Sequence, residues 1–175
     1  GKWRTDTTLE VPSGVTLRGS SRDLSVVEGF GVLPPDRKTT ALVHPAPHTT
    51  LESLTFQGFT VKGPGAYWMA MINPPPPKGN DPAAGPIVDF TLRNCRLYGG
   101  DMHTSDAHFV YLQALAVPRF RNVRILDNDI FGSVNLGDFF LPSYRLEFIG
   151  NTIHGGGNTD NVSLNVSQLF ESIVD

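Results

Sequence analysis

The chain has 175 residues, 18 of them glycine and 14 proline, with a net charge of −3 and a pI near 5.9. That length suits a single domain, residues 1–175, with a sizeable core, and the slight acidity leaves no basic footprint for nucleic acid. No stretch keeps helical periodicity with caps over three turns, and no apolar run nears the roughly 20 residues that span a bilayer, so the expectation is an all-β chain rich in turns with no membrane partner.

In chain order, Thr7 to Gly19 reads as a strand, a turn at Pro12-Ser13-Gly14, and a second strand. A ten-residue pattern follows from Leu54, Leu-Thr-Phe-Gln-Gly-Phe-Thr-Val-Lys-Gly, and returns without gaps from Phe90, Val123 and Leu146. Its first, third and eighth positions are always apolar and its tenth is always glycine. Two apolar positions two apart mark a strand with one buried face. The column Gly58, Asn94, Asp127, Gly150 marks a sharp bend, because these residue types tolerate a left-handed backbone at low cost. The next column, Phe59, Cys95, Asn128, Asn151, is small or amide in its last three members, which suits side chains stacked at a tight corner. A unit this short cannot bury its own apolar face, so constant copies joined by variable inserts predict a solenoid.

After the glycines come third strands, from Tyr67, Phe109, Ser133 and Asn161. The longer inserts, 73–86 with its run of four prolines, 100–107 and 137–143, are then loops. Leu169 to Asp175 reads as the start of a further unit. Alternation in the third strands turns Val110, Leu112, Val134, Leu136, Val162, Leu164 and Val166 inward. Tyr111, Asn135, Asn161, Ser163 and Asn165 then face outward, and Trp68 is assigned to the same outward column. The expected exposed ladder is Trp68, Tyr111, Asn135 and Ser163 or its neighbours, aromatic and amide groups that match the apolar and hydroxylated faces of a sugar.

Acids and imidazoles gather beside that strand: Asp101, His103, Asp106 and His108 before Phe109, Asp138 after the strand from Ser133, and Asp160 before Asn161. Paired carboxylates are what glycoside hydrolysis needs, one to protonate the leaving oxygen and one to activate water or attack the sugar. His103 and His108, five apart on a loop, form no metal-ligand pattern, so no metal and no cofactor are expected. The single cysteine has no disulfide partner and reads as a small buried side chain; its solitude does not decide the compartment. Asn161-Val162-Ser163 and Asn165-Val166-Ser167 fit the glycosylation pattern but fall in a strand and read as coincidence.

The four copies resemble the coils of right-handed parallel β-helices of the pectin-lyase-like kind over nearly the whole chain, and Pro12-Ser13-Gly14 followed by Val15-Thr16-Leu17-Arg18-Gly19 resembles the opening coils of such enzymes. The resemblance implies about five coils. It also implies a segment of a longer helix, since a cap and an earlier coil usually come first, and a secreted protein, extracellular or periplasmic. Asn158-Thr159-Asp160 looks like the Asn-Thr-Asp of polygalacturonase-like glycoside hydrolases, which would make Asp160 an acid of an inverting hydrolase acting on a polysaccharide. The later Asp-Asp, Gly-His-Gly and Arg-x-Lys elements of that family are missing here. Lyases of the fold need a lysine or arginine base, and Lys62 alone stands near the face, so lyase chemistry ranks below hydrolysis. A non-catalytic glycan-binding or structural β-helix, of adhesin or tail-fibre type, is the other alternative.

Overall fold

The computed structural model describes residues 1–30, 32–33, 41–58, 60–61, 69–74, 85–99, 101–102, 112–137, 141–154 and 164–175; for 32–33, 60–61, 69, 101–102 and 112–113 it describes the backbone alone. Every element among them is a strand. The chain passes first through β1 (Lys2–Thr5), β2 (Leu9–Val11) and β3 (Thr16–Arg18), then β4 (Val26–Gly29), β5 (Val32–Leu33), β6 (Ala41–Pro45) and β7 (Thr50–Glu52). Next come β8 (Thr55–Gln57), β9 (Thr60–Val61), β10 (Met69–Ile72), β11 (Ile87–Val88) and β12 (Thr91–Arg93), followed by β13 (Arg96–Tyr98), β14 (Asp101–Met102), β15 (Leu112–Val117) and β16 (Phe120–Leu126). The remainder is β17 (Asp129–Phe131), β18 (Ser133–Leu136), β19 (Ser143–Ile149), β20 (Thr152–His154), β21 (Leu164–Val166), β22 (Leu169–Phe170) and β23 (Ile173–Val174).

These strands assemble into three main sheets that the chain visits in a fixed rotation. Sheet A has the order β1-β4-β8-β13-β17-β20, sheet B the order β2-β6-β10-β15-β18-β21, and sheet C the order β3-β7-β12-β16-β19-β22, with β11 and β23 added beside β16 and β19. A small sheet of β5, β9 and β14 lies between A and B in chain order. All pairings are parallel, which is compatible with the β-helix expected from the sequence.

Register then sets side chains in columns. One inward column on sheet A runs Val27, Phe56, Leu97, Ile130, Ile153. On sheet B it runs Leu9, Val43, Ile72, Leu115, Val134, Leu164, and on sheet C Leu17, Leu51, Leu92, Ile125, Phe148, Val174. The middle members of all three are buried and belong to one apolar cluster.

The first sequence copy is displaced by five residues. Leu92 pairs with Leu51 and Leu97 with Phe56, so the unit homologous to the one from Phe90 runs from Thr49 to Gly58 rather than from Leu54 to Gly63. Its opening position is Thr49, polar by type yet buried, because the hydroxyl donates to the Ala46 carbonyl oxygen at 2.6 Å. Leu54 and Phe56, two apart, imitate the first and third positions of the pattern. The bend in this copy is therefore Ser53, and the true column of left-handed residues is Ser53, Asn94, Asp127, Gly150, with φ between 50° and 65°. Gly58 is left-handed too, but at the other end of β8.

A second left-handed column, not apparent from residue type, runs along sheet C: Gly14, His48 and Asp89 stand just before β3, β7 and β12, Asn122 and Arg145 lie within β16 and β19, and Glu171 lies between β22 and β23. Arginine and glutamate have no local preference for this conformation, which costs about 1–2 kcal/mol for an ordinary residue. The ladders on both sides impose it.

The stacked-corner expectation holds with Leu54 in place of Phe59, which lies outside the described residues. Asn128 is buried; its Oδ1 accepts the Cys95 N–H at 2.8 Å, and its Nδ2 donates to the Leu92 carbonyl at 3.1 Å and to Asn151 Oδ1 at 2.8 Å. Asn151 repeats the arrangement one layer on, accepting the Asn128 N–H at 3.1 Å and donating to the Ile125 carbonyl at 2.7 Å. Each side chain closes backbone groups that the bend takes out of the sheet ladder. Asn128→Ala strands two of them, each worth about 1–3 kcal/mol when buried and unsatisfied, so we expect a loss of roughly 2–4 kcal/mol in urea denaturation. An unchanged midpoint would mean that the corner does not depend on the amide. Leu97→Ala, which opens a cavity in the sheet A column, is expected to cost about 2–5 kcal/mol by the same measurement.

Candidate functional site

Of the side chains expected to bind or act on a glycan, Asn135 alone lies among the described residues. Trp68, Asp106, His108, Tyr111, Asp138, Asp160, Asn161 and Ser163 fall outside them, as does His103; Asp101 stands in β14, described by its backbone.

Asn135 faces outward from β18 between buried Val134 and Leu136, as alternation requires. Its neighbours differ from those expected. Cross-strand it meets Ala116 on one side, so Tyr111 does not share its register position, and on the other it meets Asn165, one of the neighbours of Ser163 that the expected ladder admitted. The cause is in β15, where the register shifts between Gln113 and Leu115 and where Ala114, Leu115, Ala116 and Val117 are all buried. A run without polar alternation carries no phase in its sequence, and a bulge moves the phase once more.

The outward column that contains Asn135 therefore reads Glu10, His44, Asn73, Ala116, Asn135, Asn165. Glu10 pairs with His44 in register, and Asn73, one residue beyond Ile72, donates its backbone N–H to the Val43 carbonyl at 3.1 Å. Glu10 Oε1 lies 2.9 Å from His44 Nδ1, which fixes the imidazole plane. Asn73 is only 5 % exposed. Turned with its amide nitrogen toward them, it meets the carbonyl oxygens of Ala116 at 3.3 Å and of Pro74 at 3.0 Å. The middle of the column is thus covered, and it is accessible at its two ends, at exposed Glu10 with half-buried His44 and at the half-buried pair Asn135 and Asn165. Each amide offers two donors and an acceptor, the complement of a sugar hydroxyl.

Sheet A carries a different outward column, Arg4, Glu28, Gln57, Tyr98, Phe131, His154. Tyr98 and Phe131 stack with centroids 4.7 Å apart, and Phe131 and His154 at 4.1 Å, with interplanar angles of 17° and 7°. The rings spend their faces on one another and offer mainly edges outward, so this ladder stabilises the stack more than it presents a sugar platform. It was legible: the ninth position of the aligned copies is aromatic or imidazole in three of four and alternates with the inward eighth. A smaller stack, Tyr144 on Phe170 at 5.4 Å, stands on sheet C.

Charge is distributed unevenly. None of the six sheet B strands contains lysine or arginine. On sheets A and C most of the described cations are tied into carboxylates: Lys2 and Arg4 hold Glu28 at 2.6 and 2.8 Å, Arg18 and Arg93 hold Glu52 at 2.7 and 3.0 Å, and Arg96, with Arg22 from the turn before β4, converges on Asp129 at 3.5 and 3.3 Å, whereas Arg121 of β16 lies over the Tyr144 ring. Cys95 is sealed in its corner, its thiol pushed up to about 12 chiefly by burial. Among the described residues, no three His, Cys, Asp or Glu side chains gather as metal ligands would, and no helix is long and apolar enough to cross a membrane. No family model, no curated protein and no solved structure matches the chain.

The paired carboxylates give stability a pH dependence with a definite sign. The hydrogen bond from Lys2, then that from Gln57, lowers the Glu28 pKa below 4.5, and the hydrogen bond from Arg93, with Arg18 behind it, does the same for Glu52. A depressed folded-state pKa contributes stability above the ordinary value and loses it as pH falls through the lowered one. The urea midpoint should therefore decline on acidification below about pH 4.5, and Glu52→Gln should flatten part of that acid limb. An acid limb identical in the variant would remove Glu52 from the account.

Proposed function

We propose that the chain is a carbohydrate-active, right-handed parallel β-helix of the pectin-lyase-like kind, and that it cleaves a polysaccharide as a glycoside hydrolase outside the cytoplasm. The observation that carries this reading is the succession of β15, β18 and β21 as neighbours in sheet B, with Asn135 and Asn165 side by side on its outer face. The segment holding Asp106 and His108 leads into β15, and the segment holding Asp160 leads into β21. Parallel strands enter a sheet from the same end. β15 and β21 are two strand steps apart, roughly 9.6 Å.

On this reading Asp160 and Asp106 divide the acid and base roles. His108 supports one of them, and the amides of Asn135 and Asn161 with the Ser163 hydroxyl hold sugar hydroxyls, while Trp68 and Tyr111 supply apolar contact. Asp138 follows β18 at its leaving end and is assigned a lesser role. Glycan binding without cleavage is the second reading, favoured by the Asn135–Asn165 pair, which can hold hydroxyls without moving a proton.

Reducing-end release from a panel of polysaccharides tests the proposal. Asp160→Asn and Asp106→Asn are each expected to lower kcat by about 10²-fold or more, and Asp138→Asn by much less. A chain that binds a glycan but releases no product from any substrate would leave the binding reading standing in place of the hydrolase.

A further inference from the structure

The outer face of sheet B carries information about the charge of whatever lies on it. Its outward column consists of a carboxylate, an imidazole held by that carboxylate, three amides and an alanine, and no strand of the sheet contains lysine or arginine. A uronate polymer brings one negative charge per sugar. Recognition of a carboxylate in a partly desolvated groove calls for a guanidinium or ammonium in hydrogen-bond reach. Here an approaching uronate meets neutral amides, which can donate hydrogen bonds but supply no compensating charge, and, at the far end of the column, the Glu10 carboxylate. On sheets A and C, Lys2, Arg4, Arg18 and Arg93 are committed to Glu28 and Glu52. A neutral sugar, by contrast, meets donors and acceptors in the proportion its hydroxyls require.

Building on the reading of sheet B as a glycan-binding face, we propose that the glycan lying over β18 and β21 is uncharged, and that Asn135 and Asn165 set this preference. A mannan, a galactan or a β-glucan has the required chemistry; a polygalacturonate or an alginate does not.

The experiment is affinity electrophoresis of the whole chain in gels containing matched neutral or uronate polysaccharides at low ionic strength, repeated with Asn135→Lys and Asn165→Lys. The expected result is retardation by at least one neutral polymer, with apparent affinity about tenfold or more above that for any uronate polymer. The lysine variants, with unchanged circular dichroism and melting temperature, should gain several-fold in affinity for uronates. Uronate binding by the unmodified chain as tight as neutral binding overturns the inference and leaves the glycan reading intact. Arg37, Lys38, Lys62 and Lys78, outside the described residues, are read by the same gels, since any of them reaching the glycan raises uronate affinity. A neutral preference that neither lysine variant alters overturns the assignment to Asn135 and Asn165. No retardation by any polymer overturns the glycan reading and this inference with it.

Discussion

Parallel pairing in register, shifted at the β15 bulge, is the constraint from which the rest follows. Because each strand lies beside its own counterpart from the next passage of the chain, a residue's cross-strand neighbours occupy the same position in the repeat. Like therefore stacks on like, in directions set by the period of two. Leucine, isoleucine, phenylalanine and valine fill the inward columns of sheets A and C, and rings meet rings from Tyr98 to His154 outside. Charge is the exception that must be managed, since a column of identical ions would repel. The chain alternates it, as in Arg18, Glu52 and Arg93.

The corners carry the second half of the design. A bend removes backbone groups from the ladders and asks for an unusual φ, and the fold answers the two demands with adjacent columns. Ser53, Asn94, Asp127 and Gly150 take the left-handed conformation, while Asn128 and Asn151, one residue later, return hydrogen bonds to the backbone of neighbouring layers. Cys95 occupies the same column with a thiol in place of an amide, its Sγ 3.3 Å from the Arg93 carbonyl oxygen. The column thus shifts from apolar Leu54 through sulfur to amide along the stack.

How much of this was legible depended on whether residue type and conformation agree. The strands from Phe90, Val123 and Leu146 and their left-handed Asn94, Asp127 and Gly150 could be read directly, because apolar spacing and bend-tolerant residues coincide there. Thr49 hid the first copy, since its burial rests on a hydrogen bond to Ala46 that no composition rule displays. Arg145 and Glu171 hid the second left-handed column, because tertiary pairing overrode their local preference. In β15 four successive buried residues and a register shift erased the phase, and with it the expected companions of Asn135. The acids and aromatics of the candidate site were found by their place in chain order relative to sheet B, a weaker guide than register.

The sealed position of Cys95 has a practical side. Burial both raises its pKa and keeps reagents from the sulfur, and the thiolate is the reactive form. The native fold is therefore silent toward maleimides and peroxides, so a cysteine placed on any outer column could be tagged with a fluorophore or spin label without first deleting the natural one.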